Sequence, residues 1–145
     1  MRLVVQRVSL ASVSVESKVL GQIKKGLFVL VGVKKEDTDK DAESLAEKLS
    51  KLRVMADKKE KMNLSVKDVA AEILVVSQFT LYADTSGGNR PSFIKAASPK
   101  HAKEIYEHFI TRLKEKGIEV KTGNFGAYMQ INTKLDGPVT IIIES

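Results

Sequence analysis

Apolar positions alternate with polar ones at the start of the chain. Leu3, Val4 and Val5 lead to Val8, and Val13 and Val15 alternate with Ser12, Ser14 and Glu16. A period of two marks half-buried strands. Gly21 and Gly26 punctuate, and Leu27–Val33 is a continuous apolar run, the pattern of a strand buried on both faces. The period then changes. Thr38 with Asp41 three residues on predicts a capping box, and Leu45, Leu49 and Leu52 follow at i, i+4 and i+7, a single buried helical stripe.

Ala56–Lys61 is a charged turn, and Met62–Val69 has no clear period. Glu72–Phe79 carries Ile73, Leu74, Val75 and Val76 and predicts a central strand. Thr80–Ala97, with Gly87, Gly88 and Pro91, reads as a long loop, and loops of that length in a small domain usually have a function. Ser98 is a good N-cap with Pro99 at the first helical position. Ala102, Ile105, Tyr106, Phe109, Ile110 and Leu113 form a wide apolar stripe, and Lys114, Lys116 and Gly117 close that helix. Three strands are expected near 118–122, 127–132 and 139–144. The pattern is α+β: a single domain over 1–145 with two main helices on a strand-rich body.

Composition narrows the chemistry. Cysteine is absent, which removes disulfides, thiolate catalysis and cysteine-ligated metals. The formal charge of +6, spread along the chain, favours a polyanionic partner. Met1–Arg7 is too polar for a signal peptide and Gly26–Val33 is far shorter than a membrane span, so a cytoplasmic protein is expected. The only two histidines, His101 and His108, lie seven apart beside the apolar stripe of the second helix and read as solvated surface residues. A Ser–His–Asp triad or a histidine metal site therefore has little to build on. Asp37, Asp39 and Asp41 begin like a calcium loop, but Ala42 and Lys48 stand where Gly and Glu are needed. They read as acids at a helix N-terminus.

Two segments keep functional potential. Ser77-Gln78-Phe79-Thr80-Leu81 places hydroxyls, an amide and turning backbone where a buried strand runs into the long loop. That equipment suits a carbonyl oxygen or an amine; it also suits a polar strand end capped by its own side chains. Asp136-Gly137-Pro138-Val139-Thr140 allows a cis peptide and side-chain-free carbonyls, or a plain turn before the last strand.

Ser77–Leu81 resembles the Ser-Gln-x-x-Leu signature of D-aminoacyl-tRNA deacylases, and Gly137-Pro138-Val139-Thr140 resembles that family's Gly-cis-Pro motif. The likeness extends in order along the chain: Met1-Arg2 through Gln6-Arg7-Val8, Ala11-Ser12-Val13, Met62-Asn63-Leu64-Ser65, Tyr82-Ala83-Asp84-Thr85, Arg90-Pro91-Ser92-Phe93 and Thr122–Ala127 with Met129. Two positions depart from it. Leu135 stands where the family usually has Asn, which bears on the hydrogen bonding that shapes the turn, and Tyr128 replaces a commonly polar residue, which bears on tRNA preference.

The resemblance implies a barrel-like fold and a homodimer that hydrolyses the ester of D-aminoacyl-tRNA, and of glycyl-tRNA mischarged on tRNA-Ala, with no cofactor, metal, membrane or DNA. It implies that Gly137 and Pro138 of one subunit face Ser77–Leu81 of the other, hold the substrate amine and exclude an L side chain. Arg7 and Thr140 would support that pair. Ser77, Gln78, Phe125, Ala127 and Met129 would line the pocket for the 3′-terminal aminoacyl-adenosine. The Phe79 backbone N–H would stabilise the oxyanion, Thr80 would assist, and the terminal ribose 2′-hydroxyl would help activate water. Two rival classes remain: a non-catalytic RNA-binding module, which binds without turnover, and a small-molecule esterase, which needs no tRNA.

Overall fold

The computed structural model describes residues 1–145. The first strand, β1 (Arg2–Val15), is long enough to organise the rest. Its first half pairs antiparallel with β3 (Gly26–Gly32) and its second half with β2 (Lys18–Ile23). Along its other edge runs the last strand, β8 (Gln130–Glu144). β6 (Glu72–Ser77) adds parallel to β3, and β7 (Val120–Thr122) parallel to β6. Each parallel step needs a crossover. Helix α1 (Asp39–Lys51), with the small hairpin of β4 (Met55–Ala56) and β5 (Met62–Leu64), supplies the first; helix α2 (Pro99–Glu115) supplies the second.

The sheet curls towards closure where β2 meets β7. A Cβ on Gly21 would come within 2.8 Å of the Thr122 carbonyl oxygen, so only glycine lets the two strands approach. Both faces of the central strands are buried, as their unbroken apolar runs predict. On one face Leu3, Val5, Val29, Val31, Ile73 and Val75 pack against Leu45 and Leu49 of α1 and Ile105, Phe109 and Leu113 of α2. The alternate residues Phe28, Leu74 and Val76 turn to the inner face with Val8, Ala11, Val13 and Ile23. No helix is long and apolar enough to cross a membrane.

Three expectations change. The strands expected at 127–132 and 139–144 are one strand, and Gly137-Pro138 is a bulge inside it rather than a turn before it. Gln6 pairs with Thr140 and Val8 with Leu135, so Asp136–Val139 all face Arg7. The long loop is pinned. It opens with a 3-10 turn over Phe79–Tyr82, and Asp84 bridges back to Ser92. The histidines are half-buried at the joint between the helices, His101 Nε2 2.8 Å from the Asp37 carbonyl oxygen and His108 Nε2 3.1 Å from Glu43 Oε1.

The acids at 37–41 serve the fold. Asp37 is buried and accepts from the Met1 ammonium at 2.5 Å and from the Lys34 N–H at 2.7 Å. Asp41 accepts from the Thr38 N–H at 2.8 Å and hydroxyl at 2.9 Å, the expected cap. The Thr38 N–H, followed by the Ser145 hydroxyl, lowers the Asp41 carboxyl from 3.8 to about 2. A depressed folded-state value stabilises the fold above the unfolded value and loses that stabilisation as pH falls towards the folded one. The urea midpoint of the wild type should therefore fall more steeply than that of Asp41→Asn between pH 3.8 and about 2. Parallel curves would remove Asp41 from the acid limb.

Candidate functional site

The largest hollow opens at the C-terminal ends of the parallel strands β3 and β6, where ligands of sheets with helical crossovers commonly sit. It measures about 680 Å³. Its walls come from four places: Val31 and Val33 leaving β3, Val76 to Phe79 leaving β6, Phe93 to Ala102 running into α2, and Phe125 to Ile131. Six of the residues expected from the sequence (Ser77, Gln78, Phe79, Phe125, Ala127 and Met129) line this one cavity although about fifty residues separate the two groups in the chain.

Local structure fixes the mouth. β6 ends at Ser77, the Gln78 N–H reaches back to the Val31 carbonyl at 2.7 Å, and the chain then tightens into the 3-10 turn. The N–H groups that open such a turn have no acceptor within it. Phe79, 56% exposed, packs edge-to-face on Phe93 with ring centres 4.9 Å apart. The Gln78 side-chain amide donates to the Thr80 hydroxyl, so Thr80 stands just outside the lining, oriented by its neighbour. Met129 lies over Gly123, where a Cβ would strike its sulfur.

The floor includes residues that sequence reasoning assigned only to the helix stripe. Tyr106 packs against Phe125 at 5.7 Å, and its hydroxyl donates to the Val75 carbonyl at 2.9 Å. Burial pushes this phenol up. Ala102, one helical turn earlier, leaves room beside the ring. A small residue at i−4 from a stripe aromatic was the available signal. Val31, Val33, Ala96 and Ala97 carried none, because their approach to the site depends on long-range pairing.

The eighteen lining residues include no Asp, Glu, Lys, Arg or His. The cavity can hold an apolar or aromatic group and present hydroxyls, an amide and backbone. No side-chain general base stands in it.

Gly137, Pro138, Arg7 and Thr140 form a second cluster elsewhere. Ser77 is level with Leu3 of β1 through Val31, whereas Gly137 is level with Arg7. That places them about 13 Å apart along the strands and, at three strand spacings, about 14 Å apart across them. Gly137 adopts φ +135, and the Gly137–Pro138 bond is cis. The Arg7 side chain, 10% exposed, donates from Nε to the Asp136 carbonyl at 3.2 Å, pairs with the Asp136 carboxylate at 3.1 Å and donates from Nη1 to the Val54 carbonyl at 2.9 Å. These bonds shape the bulge without help from position 135, where Leu135 is 45% exposed. Thr140 accepts from the Gln6 amide at 3.3 Å just beyond it.

The profile of the D-Tyr-tRNA(Tyr) deacylase family matches residues 4–144. A D-aminoacyl-tRNA deacylase of Thermotoga petrophila is 57% identical over 145 residues, covering 100% of this chain and 97% of that protein. The solved structure titled c-Myc DNA Unwinding Element Binding Protein superposes with a TM-score of 0.94 at 42% identity, covering 100% of this chain and 99% of the other. A probable eukaryotic D-amino acid tRNA deacylase superposes at 0.86 with 15% identity over 99% and 98%, a likeness of fold.

Since the Tyr106 hydroxyl is occupied by Val75, Tyr106→Phe should cost about 0.5–1.5 kcal/mol of stability and leave the pH–rate profile unchanged. A lost limb in that profile would make the phenol an acid–base group.

Proposed function

The chain belongs to the D-Tyr-tRNA(Tyr) deacylase family and is a D-aminoacyl-tRNA deacylase, a carboxylic ester hydrolase of translation proofreading; we propose how its site works and on which substrates. Water adds across the ester between a D-amino acid and the terminal ribose, releasing the free D-amino acid and tRNA. Glycyl-tRNA mischarged on tRNA-Ala is a second substrate, because glycine has no side chain to exclude. The working form is a cytoplasmic homodimer without cofactor.

The observation that carries this reading is the uncharged lining of the cavity. Without a base or a charged nucleophile among the walls, catalysis rests on backbone groups and on the RNA. The aminoacyl ester is already activated. N–H groups at the start of the 3-10 turn, that of Phe79 foremost, stabilise the developing oxyanion. The terminal 2′-hydroxyl helps activate the attacking water. Thr80, oriented by Gln78, supports the bound ester rather than attacking it, since no base stands beside it. Ser77, Phe125, Ala127 and Met129 hold the adenosine and aminoacyl groups.

Selectivity comes from the partner's Gly137 and Pro138. Two features support a cross-subunit arrangement. The pair cannot reach the cavity of its own chain, and β8 carries an unpaired outer edge with Ile131, Leu135 and Ile142 exposed, a surface that folded proteins normally cover. Brought against the partner's cavity, the side-chain-free bulge offers carbonyls to the substrate ammonium and fills the space an L side chain would need.

Deacylation of D-Tyr-tRNA, Gly-tRNA and L-Tyr-tRNA tests the reading. The first two should turn over and the third should be spared by about two orders of magnitude or more. Equal turnover of both tyrosyl esters contradicts it, and so does hydrolysis of D-tyrosine esters lacking adenosine at the same rate. Thr80→Ala should lower kcat by less than about tenfold, whereas a loss on the order of 10⁴ would make Thr80 the nucleophile.

A further inference from the structure

The β4–β5 hairpin has no part in the cavity, yet Arg7 ties it to the Gly137-Pro138 bulge. One guanidinium donates both to the Asp136 carbonyl and to the Val54 carbonyl at the hairpin's root. Wherever the bulge goes, the hairpin goes with it. Its turn, Asp57–Lys61, is stiff. The Asp57 carboxylate accepts from the Lys59 N–H at 2.8 Å, the Lys61 N–H at 3.0 Å and the Asn63 amide at 2.7 Å, and the Asp57 N–H donates to the Lys61 carbonyl at 2.8 Å. Asn63 heads the Asp57 contacts that lower this carboxyl below the usual range. Its oxygens are thus engaged inside the turn, while Glu60, the other carboxylate there, is exposed and leaves the turn with a net positive charge.

The lysines around Asp57 are not paired. Lys58, Lys59 and Lys61 are all exposed, and none has a carboxylate within 4.0 Å. Other surface cations are either paired, as Lys51 and Lys116 are with Glu47 and Lys95 is with Asp84, or free; what sets these three apart is that they stand together on one hydrogen-bonded turn. Three free ammonium groups on a rigid turn can meet a phosphate chain with little ordering cost.

We infer that the Lys58-Lys59-Lys61 turn is a phosphate-binding site for the tRNA substrate, and that it acts in trans, gripping the backbone that leads into the partner's cavity. This rests on the cross-subunit reading above. The root of the hairpin sits beside the bulge that enters that cavity, and the tip lies about five residues further, on the order of 15 Å. That reach matches nucleotides leading out of the pocket rather than the reacting adenosine. Contacts to phosphate position a nucleic acid without reading its sequence. The turn would therefore let one enzyme take D-aminoacyl esters from many tRNAs.

The test compares wild type with K58Q/K59Q/K61Q in D-Tyr-tRNA deacylation across a salt series. The triple variant should raise KM about tenfold or more at low salt, leave kcat unchanged, and flatten the slope of log KM against log salt by about 2 to 3. K58R/K59R/K61R should restore the slope. Hydrolysis of D-tyrosyl-adenosine, which has no phosphate chain, should be the same in all three proteins. A mixed dimer places the turn: one chain carries Ala127→Trp to fill its cavity, the other carries K58Q/K59Q/K61Q. The surviving cavity faces an intact turn only in trans, so a wild-type slope is expected. A slope like that of the triple variant means action in cis and overturns the inference, as does an unchanged slope in the triple variant itself. Wild-type enzyme that fails to separate D from L esters overturns the underlying reading instead, and does so whatever the lysines do.

Discussion

Arg7 lies buried between β8 and the start of the β4–β5 hairpin, and its guanidinium holds carbonyls of both. Opposite this residue the ladder between β1 and β8 breaks, with four residues on one side and one on the other. A long guanidinium with several donors suits that gap, because Asp136–Val139 have left the ladder and at least one displaced carbonyl needs a partner. Gly137 completes the arrangement. A Cβ there would come within 2.8 Å of the Val139 nitrogen and 3.4 Å of the Arg7 guanidinium, at a φ that other residues resist. The position of the bulge and the anchoring of the hairpin both follow from this one interaction.

The end that holds the cavity is built on a different principle. Parallel strands β3 and β6 stop together, and the chain leaving β6 turns at once into a 3-10 turn above a hollow with apolar walls. Both histidines and several carboxylates are engaged elsewhere. His101 and His108 join the helices, Asp37 and Asp41 hold the chain entering α1, and Asp84, lowered chiefly by the Ser86 hydroxyl, pins the loop with Lys95. The protein thus keeps charge at structural joints and leaves the pocket to backbone, amide and hydroxyl groups. A fixed dipole in a dry pocket stabilises developing charge without having to reorient.

The elements legible in the sequence are those specified by near neighbours. The cap of α1 by Asp41, the Ser98-Pro99 start of α2 and the unbroken apolar runs of β3 and β6 all behave as their local patterns predict. Where a distant partner decides, local reading falls short. Asp136-Gly137-Pro138 has the composition of a turn, and only Arg7, about 130 residues earlier, makes it a bulge in a continuous strand. His101 and His108 look like surface residues until α1 and the segment entering it pack across them. In the site, the polar segment Ser77–Thr80 stands out because polar residues end a buried strand. Tyr106, Ala102, Val31 and Val33 reach the same cavity through packing that no local period encodes.

In the proposed mechanism the chain supplies position and backbone dipoles, and the RNA supplies the group that helps activate water. That mechanism is tested most directly by single-turnover hydrolysis of D-Tyr-tRNA whose terminal adenosine carries hydrogen in place of the 2′-hydroxyl, the ester being on the 3′ oxygen. The rate should fall at least about 10²-fold with binding retained, the scale of losing one positioned catalytic group. Full activity on that substrate would contradict the mechanism and require a catalytic side chain that the cavity does not display.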